Sequence, residues 1–154
     1  MKENLKAVIS GSFKYKPEID AAIDVFREQG VDVLEPTKGW IIIPPSELRA
    51  YSKQGRLRPL PSEQNLTARQ IEDRFLRAVN RSDFMYLMNQ EGYIGISTAF
   101  EIGYALNRSI ALYAREPLNL HNMEIEDLDM KQMLRESFTV LPPEDVANHY
   151  RERY

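Results

Sequence analysis

Cysteine is absent from the chain, which excludes disulfides, thiol nucleophiles and cysteine-based metal sites. Histidine is scarce: His121 and His149 are the only two. They lie far apart, lack the short spacing of a metal-binding pair, and read as surface residues. Neither a metal site nor a cofactor is expected. No run approaches the roughly 20 apolar residues of a membrane span. The amino terminus, Met1 to Lys6, lacks the apolar stretch of a signal peptide. A cytoplasmic protein without a membrane partner is the expectation. A basic excess is missing too, with 20 Lys and Arg against 23 Asp and Glu and a net charge of -3 with His neutral. That argues against a nucleic-acid polymer as partner, which calls for a basic face. A single nucleotide stays open, because a few local donors suffice for one phosphate.

What remains is an ordinary globular composition. The 154 residues are 43% apolar and 28% charged. A chain of this length hides about 70% of its unfolded surface, enough for one domain with a sizeable core.

Periodicity divides the chain into alternating strands and helices. Leu5 to Ser10 reads as a short buried strand that stops at Gly11-Ser12. Pro17 suits the first turn of a helix, whose apolar face is Ile19, Ala22, Ile23 and Phe26. Gly30 ends it, and Val31 to Leu34 is a second strand. Asn65 to Arg81 is a helix with Thr67 and Gln70 in capping-box spacing and Ile71, Phe75 and Val79 facing inward. Asp83 to Met88 is a third strand. Ser97 or Thr98 caps a helix that runs to Asn107. Ile110 to Tyr113 is a fourth strand. A polar helix lies before Ser137, Phe138 to Leu141 is a last strand, and a terminal helix starts at Pro143.

The pattern predicts an α/β domain over 1–154: an open, mostly parallel five-stranded sheet of flavodoxin-like or Rossmann-like type, with helices on both faces. Only residues 36–65 break the rhythm. This stretch holds five of the nine prolines and the one tryptophan, Trp40. It reads as an inserted flap with a small hairpin around Trp40 to Ile43, or as an irregular surface excursion.

Open sheets of this kind bind ligands beyond the carboxyl ends of their strands. Two loops there carry suitable chemistry. The first runs from Ser10 through Gly11, Ser12 and Lys14 to Tyr15. Gly11 allows close backbone approach, Ser10 and Ser12 offer hydroxyls, Lys14 adds a charge, and the helix behind offers free N–H groups. The second runs from Asn89 through Tyr93 and Gly95 to Ser97, Thr98 and Glu101. Read alone, Ser/Thr-x-x-Glu is a capping box, with Glu101 in the first turn returning a hydrogen bond to the cap residue.

The run Gly95-Ile-Ser-Thr-Ala-Phe-Glu-Ile-Gly-Tyr-Ala105, with Ile9-Ser-Gly-Ser12 upstream, resembles the nucleoside 2-deoxyribosyltransferase family and its relatives that hydrolyse nucleoside 5'-monophosphates. The resemblance covers most of the chain, but not the flap. It implies that Glu101 is a nucleophile that attacks the anomeric carbon and forms a glycosyl-enzyme. A second base or water then takes the sugar. It also implies that Tyr15 orients the glutamate, that Ser12 and Ser97 hold a 5'-phosphate with help from Lys14, and that the protein is a homo-oligomer. A carboxylate beneath the sugar suits an oxocarbenium-like transition state. A first-turn position would keep that carboxylate ionised.

Two family carboxylates are missing. Gly95 stands where many members have an aspartate six residues before the glutamate. Phe75 stands where another aspartate contacts the base. Glu72, one helical turn before Phe75, is a substitute of the right type. Asp83 belongs at the amino end of its strand and reads as structural. Trp40 or Tyr93 would stack on the base. The alternative is a catalytically silent nucleotide-binding or sensing module of the same fold.

Overall fold

The computed structural model describes residues 4–12, 15–36, 41–43, 56–58, 67–119 and 126–154. Five strands form one parallel sheet: β1 (Leu5–Gly11), β2 (Val31–Glu35), β5 (Phe84–Met88), β6 (Ala111–Ala114) and β7 (Thr139–Val140). Their spatial order is β2-β1-β5-β6-β7. The chain therefore steps from β1 to one side and later returns to its other side, which puts the reversal of strand order between β1 and β5. Loops leaving neighbouring strands at such a point diverge and open a crevice at the carboxyl edge.

Residues alternate cleanly through the sheet. Ala7 and Ile9 of β1 join Phe84, Tyr86 and Met88 of β5 in one core layer. That layer takes Ile19, Ala22, Ile23 and Phe26 from α1 (Lys16–Glu28) and Val146 and Ala147 from α5 (Pro143–Arg153). Val8, Met85 and Leu87 face the other way. They pack with Ala78 and Val79 of α2 (Ala68–Asn80), Ile102 and Ala105 of α3 (Ile96–Asn107) and Leu134 of α4 (Leu128–Glu136). Helices cover both faces, as the periodicity predicts.

Local signals explain the element ends. Gly30 has φ +75 just after α1, a conformation that glycine adopts at little cost. At the start of α2 the Thr67 hydroxyl accepts from Gln70 N at 3.2 Å, and the Gln70 side chain accepts from Thr67 N at 2.8 Å. The capping box expected there is complete. In the stretch where a small hairpin around Trp40 to Ile43 is expected, β3 (Ile41–Ile43) pairs antiparallel with β4 (Arg56–Arg58) as a separate two-stranded sheet, and Trp40 lies outside the described residues.

The start of α3 differs from expectation. Gly95 is its N-cap and no side chain caps it. Ser97 and Thr98 fall inside the first turn, which places Glu101 in the second. Ser97 is exposed and Thr98 buried. No capping box forms at this helix, and the first-turn dipole argument for Glu101 does not apply, because the dipole effect fades beyond the first turn.

His149 corrects another expectation. It is half-buried on α5 and its Nδ1 lies 2.8 Å from the Tyr113 hydroxyl. His121 lies outside the described residues.

Candidate active site

Ser10 is the last residue of β1 on the α2/α3 side, one step beyond Val8 on the same face. It is 2% exposed. Glu101, projecting from the second turn of α3, is 8% exposed. The two meet across the carboxyl end of β1, where the Ser10 hydroxyl donates to Glu101 Oε2 at 3.4 Å. Ser10, expected to bind ligand, points its hydroxyl at the glutamate.

Glu72 approaches from α2, which packs beside α3. Burial raises the Glu101 carboxyl to about 8, the nearby Glu72 carboxylate adds to the rise, and the Ser10 hydrogen bond opposes it. The cause is physical: a charge deprived of water and set beside a like charge favours its neutral form. Glu72 is itself raised by burial and then by Asp73. Its Oε1 is buried with no hydrogen-bond partner. Most buried polar atoms are satisfied, so this carboxylate oxygen is an exception near the buried Glu101.

The opposite wall comes from α1 and the loop after β5. Tyr15 precedes α1 and donates its hydroxyl to the Gln90 carbonyl at 3.1 Å. That bond ties the β1 loop to the β5 loop across the crevice. Gln90 also holds a buried side-chain Oε1 without a partner. The sequence reading missed Gln90, although its place two residues beyond a central strand end is itself a signal.

Asn89, expected to contact ligand, uses both polar atoms of its side chain on the protein backbone. It is fully buried. Its Nδ2 donates to Glu116 O at 2.6 Å and its Oδ1 accepts from Glu116 N at 3.0 Å. Glu116 Oε2 accepts from Glu91 N at 2.6 Å, and Asn119 N donates to Gly92 O at 3.3 Å. The loops after β5 and β6 are zipped together. Gly92 is required there, since it has φ +76 and a Cβ would lie 2.5 Å from Asn119 Cβ.

Gly11 serves packing as well. A Cβ on it would stand 2.7 Å from Met88 O, so the close approach it permits is that of β5. Ser12, half-buried, accepts the Tyr15 N–H at its carbonyl. Around Gly95 the nearest group to an added Cβ is the Tyr93 hydroxyl at 3.4 Å. The half-buried Tyr93 ring thus stands over the place where a side chain at 95 would begin. Phe75 packs against the core layer below α2 and α3.

Asp83 behaves as expected, accepting from Lys6 N at 2.8 Å at the far end of β5. Another pair missed in the sequence is Glu35, buried at the end of β2, with Arg74 Nε 3.0 Å from its Oε1. Lys14 and Trp40 lie outside the described residues. Among the described residues no cluster of acidic or histidine side chains is arranged to hold a metal. No helix among them is long and apolar enough to cross a membrane. A separate cavity of about 310 Å³ opens at the amino edge of β6 and β7, lined by Ser109, Thr139 and Arg153 among others, and includes no member of the Glu101 cluster.

No protein-family model matches the chain, and no curated protein matches it in sequence. Solved structures do. A conserved protein from Enterococcus faecalis V583 superposes with a TM-score of 0.59 at 16% identity, covering 98% of this chain and 99% of that one. The CMP N-glycosidase of Clostridium botulinum gives 0.50 at 12% identity, covering 97% and 99%. The 2-deoxyribosyltransferase of Bacillus psychrosaccharolyticus gives 0.51 at 18% identity, covering 93% and 90%. With near full-length superposition on all three, the chain shares their fold, an α/β architecture with an open parallel sheet.

Proposed function

We propose that the protein cleaves or transfers the N-glycosidic bond of a nucleoside or nucleoside 5'-monophosphate, with Glu101 as nucleophile. The observation that carries this reading is a buried carboxylate, Glu101, held by Ser10 at the strand-order reversal with a second carboxylate, Glu72, beside it. The folds shared with a CMP N-glycosidase and a 2-deoxyribosyltransferase support it.

Burial and the neighbouring Glu72 carboxylate favour a proton retained on the Glu101 side of the pair near neutrality. That single proton meets both demands of the reaction. A Glu101 oxygen bonds to the anomeric carbon as the carbon–nitrogen bond breaks, and Glu72 passes the proton to the departing base nitrogen. Positive charge building on the sugar draws the negative charge of the pair to Glu101. In the second half, water or another base attacks the glycosyl-enzyme, Glu72 takes back a proton, and Glu101 is released. Gln90 Oε1 and Glu72 Oε1, both buried and unmatched, are the acceptors left for donors on the ligand. Tyr93 provides a ring for the base.

The test is chromatographic. Purified protein incubated with a panel of nucleosides and monophosphates is expected to release free base, and Glu101→Gln to lower the rate by at least about 10³-fold. Glu72→Gln is expected to fail with ordinary nucleosides. It should recover with an N7-methylated purine nucleoside, whose base leaves without needing a proton. Release of base by Glu101→Gln at the wild-type rate, or by no form of the protein, defeats the reading.

The second reading, a silent nucleotide-binding module, is favoured by one observation: a carboxyl raised to about 8 is mostly protonated at neutral pH, and a protonated nucleophile is idle. Calorimetry that finds a monophosphate bound, together with its recovery intact after long incubation at pH 9, selects this reading.

A further inference from the structure

Glu101 has two carboxylate oxygens in different settings. Oε2 is held by Ser10 at 3.4 Å. Oε1 makes no hydrogen bond among the described residues and is not among their buried atoms that lack a partner. On the face of β1 shared with Val8, Lys6 is exposed at the far end and Ser10 is the buried polar residue. A buried serine commonly satisfies its hydroxyl on a nearby backbone carbonyl. Ser82 does so on Ala78 O at 2.7 Å. Ser10 spends its hydroxyl on a carboxylate from a helix instead.

Resting on the reading of Glu101 as nucleophile, we propose that Ser10 is a positioning residue: by holding Oε2 it turns Oε1 outward as the oxygen that attacks. The strand fixes Ser10, because it pairs with Leu87 of β5 and β1 is also paired with β2 as far as Val8. A nucleophile aimed from a helix by a donor on the central strand keeps one orientation before ligand arrives, which lowers the cost of reaching the attacking geometry. A hydrogen bond to the ionised form also favours that form, against the burial and the Glu72 charge that oppose it.

Two substitutions separate positioning from packing. Ser10→Ala removes the hydroxyl, while Ser10→Thr keeps it, and a β-branched residue suits a strand. Against a substrate that the wild type cleaves, Ser10→Ala is expected to lose about tenfold in kcat with KM little changed. Ser10→Thr is expected to keep most of kcat. An activity-independent readout keeps the proposal distinct from the proposed reaction. Carbon-13 labelling of the glutamate side chains, with Glu101→Gln to assign the signal, follows the titration of Glu101 in the folded protein. Ser10→Ala is expected to move that midpoint to higher pH and Ser10→Thr to leave it in place. If the wild type cleaves nothing, the reaction fails while the titration still decides whether Ser10 holds Glu101. An unchanged midpoint in Ser10→Ala, or an equal loss of kcat in both variants, overturns the proposal.

Discussion

Glu101 works against the fold that holds it. Its carboxyl is raised from an ordinary 4.5 to about 8 by burial first and by Glu72 second. An acid whose folded value is raised binds its proton more tightly in the native than in the unfolded chain. Native stability therefore falls as pH rises from about 4.5, and the loss is complete above about 8. Glu101→Gln is expected to be more stable than the wild type at pH 9, by up to a few kcal/mol or about 5 °C in Tm. At pH 4 the two should differ little. Melting curves at both pH values decide it, and equal gains at both would place the effect outside ionisation. Gains of this kind are common when a functional group is removed from a site that strains the fold.

Elements were legible in the sequence where their signals were local. Thr67 with Gln70 announced the start of α2, Gly30 the end of α1, and the apolar faces of α1 and α2 the two core layers. The start of α3 misled because Ser97 and Thr98 are good capping residues by type, yet the chain enters the helix two residues earlier, at Gly95. No local signal separates those choices. Packing of Ile94 and Ile102 into the core does. The candidate site was legible in part: Ser10 and Glu101 came from the strand-end rule and the resemblance. The pairing of Asn89 with Glu116, the Tyr15–Gln90 bridge and the Glu35–Arg74 pair each join residues distant in sequence, and periodicity carries no information about such partners.

The two glycines of the site region separate sharply at this scale. Gly92→Ala is expected to unzip the loops after β5 and β6, costing about 2–4 kcal/mol, from a positive φ together with overlap on Asn119. Gly103, mid-helix in α3, has nothing within 4 Å of an added Cβ. Gly103→Ala should stabilise by about 0.5–1 kcal/mol through helix propensity. Urea unfolding of both variants checks the pair, and a stable Gly92→Ala would remove the zipped loops from the account of the crevice wall.

For the whole molecule the strand order matters more than any motif. Reversal between β1 and β5 collects Ser10, Tyr15, Gln90, Glu101 and Glu72 from four separate stretches of chain at one edge. A ligand bound there touches both core layers through their helices, so it stabilises the fold as a unit. A nucleotide present at 100 times its dissociation constant adds about 2.7 kcal/mol, which in a chain of this size raises Tm by about 5–10 °C. Differential scanning against a panel of nucleosides and monophosphates is expected to find such a shift, and Gln90→Leu to reduce it. A flat profile across the panel would leave the crevice without a nucleotide. Net charge of -3 predicts little salt dependence beyond that of one phosphate. A homo-oligomer is proposed from the resemblance, and sedimentation measures it.

The open space above Gly103 also makes the protein easy to instrument. The chain has no cysteine, so Gly103→Cys would carry the molecule's one thiol, facing solvent two residues along α3 from Glu101. A fluorophore or spin label attached there would sit on the outer side of the helix that bears the proposed nucleophile. It would report ligand arrival as a change in the tumbling of that helix, without occupying the crevice it watches.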